Sequence, residues 1–176
     1  MTPSSPRSQL PIVLVMGVSG SGKSVVGVRL ASCLGLPHLD ADSLHPETNV
    51  RKMRAGSPLT DMDRGPWLDA VAGRIADAEG GLVVSCSALR RDYRDRLRRA
   101  APDLRLVFLN GPDDLIRSRL AGRIGHFMPA SLLASQLATL EPPTADERPI
   151  VTDIAPPPEE IATWIETRLR GHRPAP

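Results

Sequence analysis

The chain has 176 residues, 41% of them hydrophobic and 24% charged, with a formal net charge of +2. That length and balance suit one soluble globular unit with its own core. A charge this small excludes a broad field for nucleic acid or a membrane surface, 3% aromatics exclude a base-stacking platform, and no apolar run reaches the ~20 residues of a membrane-crossing helix.

Residues 1–9 read as a mobile tail containing Pro and Ser. Arg7 followed by the apolar run from Leu10 to Met16 faintly resembles a secretory leader. The run leads straight into a glycine-rich loop that cleavage would destroy, so 12–16 is predicted as a buried first strand. Gly17-Val18-Ser19-Gly20-Ser21-Gly22-Lys23-Ser24 follows, a complete G-x-x-x-x-G-K-[ST] phosphate loop. The glycines let the backbone turn tightly and approach an anion. Of 22 lysines and arginines only Lys23 and Lys52 are lysines. A compact ammonium on a flexible stem reaches between β- and γ-phosphates where a planar guanidinium fits poorly. A helix is predicted over 24–34, with Val25, Val28 and Leu30 among its apolar positions and Gly35 as its C-terminal cap. Strand, loop and helix N-terminus together present N–H groups to phosphate oxygens. A nucleoside triphosphate is implied, but not what is done with it.

A short second strand over 37–40 ends in Leu39-Asp40-Ala41-Asp42, with His45-Pro46 beyond. Two aspartates there suit two tasks: holding magnesium through water beside Ser24, and orienting or deprotonating an acceptor hydroxyl. Helices are predicted over 49–55, closed by Gly56, and over 66–78, with Trp67, Val71 and Ile75 at i, i+4, i+8 and Pro66 in the first turn. A strand at 82–86 precedes a helix at 89–100 whose apolar positions Leu89, Tyr93 and Leu97 repeat every four residues. The arginines of that helix alternate with Asp92 and Asp95 and read mostly as a solvated face. Arg90 and Arg91 differ, because they lie just past the strand end on the ligand side. Further elements are a strand at 104–109, helices at 112–122 and 129–140, a last strand at 149–153 and a closing helix at 158–169. Between two of these helices, Arg123-Ile124-Gly125-His126-Phe127-Met128-Pro129 has the glycine and arginine of a lid over phosphates. His126 alone reads as structural. Cys33 and Cys86 lack metal-ligand spacing and read as buried thiols of a reducing cytoplasm.

Alternating strands and helices imply an α/β fold: a three-layer, doubly wound, mainly parallel sheet, with ligands gathered at the strands' carboxyl ends. The expected organisation is tail 1–9, one domain over 10–170 with a lid near 123–129, and tail 171–176.

From Val15 to Leu169 the chain resembles the small P-loop gluconate kinases, relatives of shikimate and adenylate kinases. The phosphate loop is common to many kinases. More specific are Leu39-Asp40-Ala41-Asp42 with His45-Pro46, Lys52-Met53, Pro58-Leu59-Thr60-Asp61 with Asp63-Arg64, and Pro66-Trp67-Leu68. Cys86-Ser87-Ala88-Leu89, Tyr93-Arg94-Asp95, Gly125-His126-Phe127 and Leu140-Glu141-Pro142-Pro143 complete the set. The resemblance implies a P-loop kinase fold with a mobile substrate-binding segment and a lid. It implies ATP- and Mg2+-dependent phosphorylation of D-gluconate to 6-phospho-D-gluconate by a cytoplasmic homodimer, with neither nucleic acid nor membrane as partner. By position it gives Lys23 and Arg123 phosphate-stabilising roles and residues 17–24 the nucleotide. Ser24 and Asp40 fall to the metal, and Asp42 to the acceptor hydroxyl. Asp42, His45, Arg51, Arg64, Arg90 and His126 are the candidates for the sugar acid. Two departures stand out. Arg90-Arg91 occupy places where lysines are common, and Leu137-Ala138 replace a frequent Phe-Glu pair, which touches local lid packing. The rival readings are a shikimate or other small sugar-acid kinase, a nucleoside or nucleotide kinase, and a non-catalytic ATP-binding regulator. The Asp63-Arg64-Gly65-Pro66-Trp67 segment has no place in a nucleotide kinase, and intact Lys23, Ser24, Asp40 and Asp42 argue against a regulator.

Overall fold

Five parallel strands form one sheet in the order β2-β3-β1-β4-β5 in the computed structural model, which describes residues 10–122 and 131–171. The strands are β1 (Ile12–Met16), β2 (His38–Asp40), β3 (Leu82–Ser85), β4 (Arg105–Asn110) and β5 (Ile150–Asp153). The helices are α1 (Lys23–Leu34), α2 (Glu47–Arg54), α3 (Asp61–Ala76), α4 (Arg91–Ala100), α5 (Asp113–Ala121), α6 (Ser131–Thr139) and α7 (Pro158–Gly171). Short 3-10 turns at Ala41–Leu44 and Ala145–Glu147 complete the described elements.

The central strand shows why the sheet has two covered faces. Successive side chains of a strand point to opposite sides. Val13 and Val15 enter one apolar cluster with Leu30 of α1 and Ile165 of α7. Leu14 and Met16 enter the other, with Trp67 and Val71 of α3 and Leu97 of α4. These four of the five β1 residues are fully buried, so the strand reads as a continuous apolar run rather than an alternation. Each such side chain contributes about 1.5–3 kcal/mol by leaving water. β1 therefore fixes the loop that follows it to the buried centre of the sheet.

Three expectations shift. α3 begins at Asp61, not near Pro66, because Thr60 caps it. The Thr60 hydroxyl accepts from Asp63 N–H (3.2 Å), and the Asp63 carboxylate accepts from Thr60 N–H (2.8 Å). Pro66 thus lies inside the helix, where its missing N–H leaves only the carbonyl at exposed Met62 without its i+4 donor. Cys86 is buried as expected, but Cys33 is exposed. The buried stripe of α1 runs through Gly27, Leu30 and Ala31, with Leu34 packed against it. Cys33 lies one residue, about 100°, round from Leu34, and Val25 and Val28 likewise face solvent. Among the described residues, no helix is long and apolar enough to cross a membrane.

Candidate functional site

The carboxyl ends of β1, β2 and β3 meet the N-termini of α1 and α4 around a cavity of about 390 Å³. Ser19, Gly20, Gly22, Lys23 and Ser24 form its floor. Gly22 is the N-cap of α1 with φ +93, a left-handed conformation that favours glycine, and it turns the loop so that the α1 N-terminus faces the cavity. Lys23 Nζ donates to Val18 O at 3.0 Å, and Ser85 Oγ donates to Lys23 O at 2.9 Å. Since the Ser85 proton is used there, its oxygen accepts from His38 Nε2–H at 2.9 Å. Burial lowers the His38 pKa, with the Asp40 charge opposing. A neutral donor ring thus supports the first turn of α1 from behind.

Ser24 Oγ donates to Asp40 Oδ2 at 2.6 Å, while Asp40 Oδ1 accepts from Asp42 N–H at 3.0 Å. A hydroxyl and a carboxylate are the hard oxygen donors magnesium takes, and magnesium needs few protein ligands when phosphates and water supply the rest. Among the described residues no group of three or more His, Cys, Asp or Glu side chains could hold a metal. The Ser24–Asp40 pair therefore fits a nucleotide-borne magnesium and not an all-protein cage. Asp42 lines the cavity on the same side. Nearby Cys86 is fully buried, and burial, reinforced by the Asp42 charge, pushes its thiol up to about 12.

Trp67 fixes the next wall. Its Nε1–H donates to Ala41 O at 2.7 Å, and its ring stacks on His45 with centroids 4.2 Å apart and 13° between planes. α3 thereby holds the 3-10 turn that carries the second aspartate. Asn49 Nδ2 donates to Asp63 O (2.8 Å) and lies 3.3 Å from His45 Nδ1. An amide nitrogen cannot accept, so Nδ1 is the acceptor and the neutral ring carries its proton on Nε2. Burial points the same way, lowering His45 to about 4 with help from the Arg64 charge.

On the far side Tyr93, a Tyr–carboxylate hydrogen bond and two guanidinium groups form one cluster. Tyr93 OH donates to Asp61, and the Arg64 and Arg90 guanidinium carbons lie 5.8 and 5.6 Å from the Tyr93 ring centroid, within cation–π range. Arg64 lies 3.8 Å from Asp61 and 3.5 Å from Tyr93 OH. The Tyr93 hydrogen bond and the two arginines hold the Asp61 carboxyl below its usual range.

The structure thus brings Lys23, Ser24, Asp40, Asp42, His45 and Arg64 to one cavity. It does not bring Arg51, which is exposed on α2. That helix buries Asn49 and Met53, and two residues from either is about 200° round. Arg90 lies outside the lining, tied to Asp61 (3.0 Å), Asp92 (3.3 Å) and Glu141 (3.7 Å). Arg123 and His126 fall outside the described residues. Two residues beside the loop escaped the sequence reading. Gln136 of α6 lines the cavity and accepts from Ser19 N–H at 2.7 Å. Arg119 of α5 donates to Ile154 O at 2.6 Å and places Nη1 within 4.0 Å of a Cβ built on Gly22. Neither belongs to a local motif.

Residues 12–143 match a family described as an AAA domain. The thermoresistant gluconokinase of Escherichia coli (strain K12) is 44% identical over 165 residues, 91% of this chain and 94% of that protein. A crystal structure of a gluconokinase from Sinorhizobium meliloti 1021 superposes with TM-score 0.82 at 46% identity, covering 96% of this chain and 100% of that one. An unliganded sugar kinase from Janibacter sp. HTCC2649 gives TM-score 0.86 at 46% identity, covering 92% and 95%. The parallel sheet and its loop between β1 and α1 define a P-loop kinase, a phosphotransferase. Within that class the chain belongs to the gluconokinase family.

Proposed function

We propose that the protein transfers the γ-phosphoryl group of ATP to the terminal hydroxyl of D-gluconate, forming 6-phospho-D-gluconate. One observation carries the reading: a single cavity joins the phosphate loop to Asp42, His45 and Arg64. A triphosphate, an acceptor hydroxyl and a carboxylate each find a matching group there. The 44% identical relative named gluconokinase supports the same acceptor.

Phosphoryl transfer leaves little covalent chemistry to the protein, so positioning and charge stabilisation dominate. Lys23 leaves Val18 O to neutralise charge on the transferring group. Ser24, its hydroxyl oriented by Asp40, would hold magnesium, which would supply positive charge to the phosphate oxygens. Asp42 accepts or orients the acceptor proton. His45 offers Nε2–H to a sugar hydroxyl, and Arg64 pairs with the carboxylate in a charge-assisted bond. The proposal includes a homodimer in the cytoplasm.

ADP release with a panel of acceptors tests it. Gluconate gives the highest kcat/KM, while shikimate and nucleoside monophosphates fail. Lys23→Ala lowers kcat by ~10²–10³-fold. Asp42→Asn lowers kcat with little change in ATP affinity, and Asp40→Asn instead shifts the magnesium titration. Comparable turnover of shikimate or a nucleotide overturns the acceptor, and identical magnesium responses overturn the division between the aspartates.

A further inference from the structure

We propose that Tyr93 is a positioning residue for the acceptor: its hydroxyl holds the Asp61 carboxylate off Arg64 and so keeps that guanidinium open to the carboxylate of the substrate. The proposal rests on the kinase reading above, in which Arg64 pairs with the sugar acid. It adds the device that stops a carboxylate of the chain itself from taking the same place.

The Arg64 side chain is 16% exposed and lines the cavity. Among the described residues its guanidinium meets Tyr93 OH at 3.5 Å and Asp61 Oδ1 at 3.8 Å, at and beyond the limit of a hydrogen bond. A mostly buried cation with no close anion is unfavourable until a ligand supplies one. Asp61 is placed to fill that need, because it lies three residues earlier on α3 and such residues are neighbours on a helix face. Both of its oxygens are engaged elsewhere. Tyr93 OH donates to Oδ1, and Arg90 Nη1 donates to Oδ2 at 3.0 Å. The Tyr93 hydrogen bond is also the largest cause of the lowered Asp61 pKa. Since that proton is committed to Asp61, the Tyr93 oxygen offers Arg64 a neutral lone pair, a weak rival to a substrate carboxylate. Tyr93 lines the cavity and Asp61 lies outside the lining, so Asp61 acts on the substrate through Arg64.

This arrangement gives one substitution a signature that a second reverses. Tyr93→Phe keeps the ring, which carries the packing and both cation–π contacts, and removes the hydroxyl. Asp61 then closes on Arg64 and competes with gluconate. KM for gluconate rises ~10–100-fold, the loss of one charge-assisted contact, while kcat at saturating gluconate and KM for ATP stay within twofold of wild type. Asp61→Asn alone lowers KM for gluconate, because it removes a negative charge beside Arg64. In Tyr93→Phe/Asp61→Asn the competitor is gone, and KM returns to within threefold of wild type. Arg90 keeps Asp92 at 3.3 Å and Glu141 at 3.7 Å in every variant. If Tyr93 OH instead contacts the sugar directly, or only braces the fold, removing Asp61 restores nothing.

The experiment measures kcat and KM for gluconate and ATP at pH 7.5 in wild type, both single variants and the double variant, with thermal unfolding as the fold control. A Tyr93→Phe enzyme within twofold of the wild-type gluconate KM, or a double variant no better than Tyr93→Phe, overturns the proposal and leaves the kinase reading intact. A recovery of KM that merely follows a recovery of Tm overturns it as well. Asp61→Asn carries the test even if Tyr93→Phe unfolds, since a raised gluconate KM in that variant means that Asp61 assists Arg64 rather than competing for it. A wild-type enzyme inactive on gluconate overturns the reading itself.

Discussion

Arg94 and Glu147 form an ion pair with 1% and 0% side-chain exposure, and removing one partner is expected to cost more than removing both. The guanidinium donates through Nε to Glu147 Oε2 at 2.6 Å and through Nη2 to Oε1 at 2.8 Å. Nη1 donates to Ala88 O (3.1 Å), Leu89 O (3.2 Å) and Glu141 O (3.0 Å). One side chain thus ties the strained turn at Ala88, φ +41, to the segment after α6. Burial alone pushes the Glu147 carboxyl up, but the hydrogen bonds from Arg94 and Thr144 N–H overcome it and leave the pKa lowered. Arg94→Met leaves a buried anion whose remaining partners are Thr144 N–H at 3.2 Å and Arg91 at 3.9 Å. Breaking such a pair costs about 3–5 kcal/mol, a large part of the 5–15 kcal/mol that holds a typical domain together. In the double variant Arg94→Met/Glu147→Leu no charge is buried. The main loss is then the donor to Ala88 O and Glu141 O, on the order of 1 kcal/mol each, since Leu89 O still accepts from Glu141 N–H at 2.8 Å. The double variant should therefore be more stable than Arg94→Met. Urea unfolding at pH 7.5, read as a midpoint shift at constant slope, measures Arg94→Met, Glu147→Leu and the double variant. Because the folded pKa of Glu147 is depressed, its contribution is present above about 4.5 and fades as pH falls below that. A single-variant cost below about 1 kcal/mol, or a double variant as unstable as the sum of the singles, would refute the reasoning.

Two further outcomes follow from the site. With a folded pKa of about 4 against 6.5 unfolded, His45 contributes stability that is complete above 6.5 and lost as pH falls toward 4. KM for gluconate should then show no step near pH 6.5, and an NMR titration that placed the His45 ring near 6.5 would contradict the Asn49 contact. Gly27→Ala should destabilise the protein by about 1–3 kcal/mol although alanine favours helix, because its Cβ would lie 2.3 Å from Ser85 Oγ and 2.8 Å from His38 Nε2. A raised Tm in that variant would show that the support behind Lys23 yields easily.

The phosphate loop was legible in the chain itself. A phosphate loop is a local object: its function lies in consecutive backbone N–H groups, and glycine spacing between a strand and a helix is enough to predict it. The parallel sheet was legible for a related reason, since alternating strand and helix patterns leave few other topologies. Ser24 and Asp40 also stood out, each at the end of an element beside the loop. The side proposed for the acceptor was different. Arg51, Arg64 and Arg90 are the same residue type, yet only Arg64 lines the cavity. What separates them is the rotation of α2, which turns Arg51 to solvent, and the carboxylates of Asp61, Asp92 and Glu141, which hold Arg90. Gln136 is the sharpest case: its partner Ser19 is 117 residues away, and no periodicity or motif records a contact that exists only because α6 packs beside the phosphate loop.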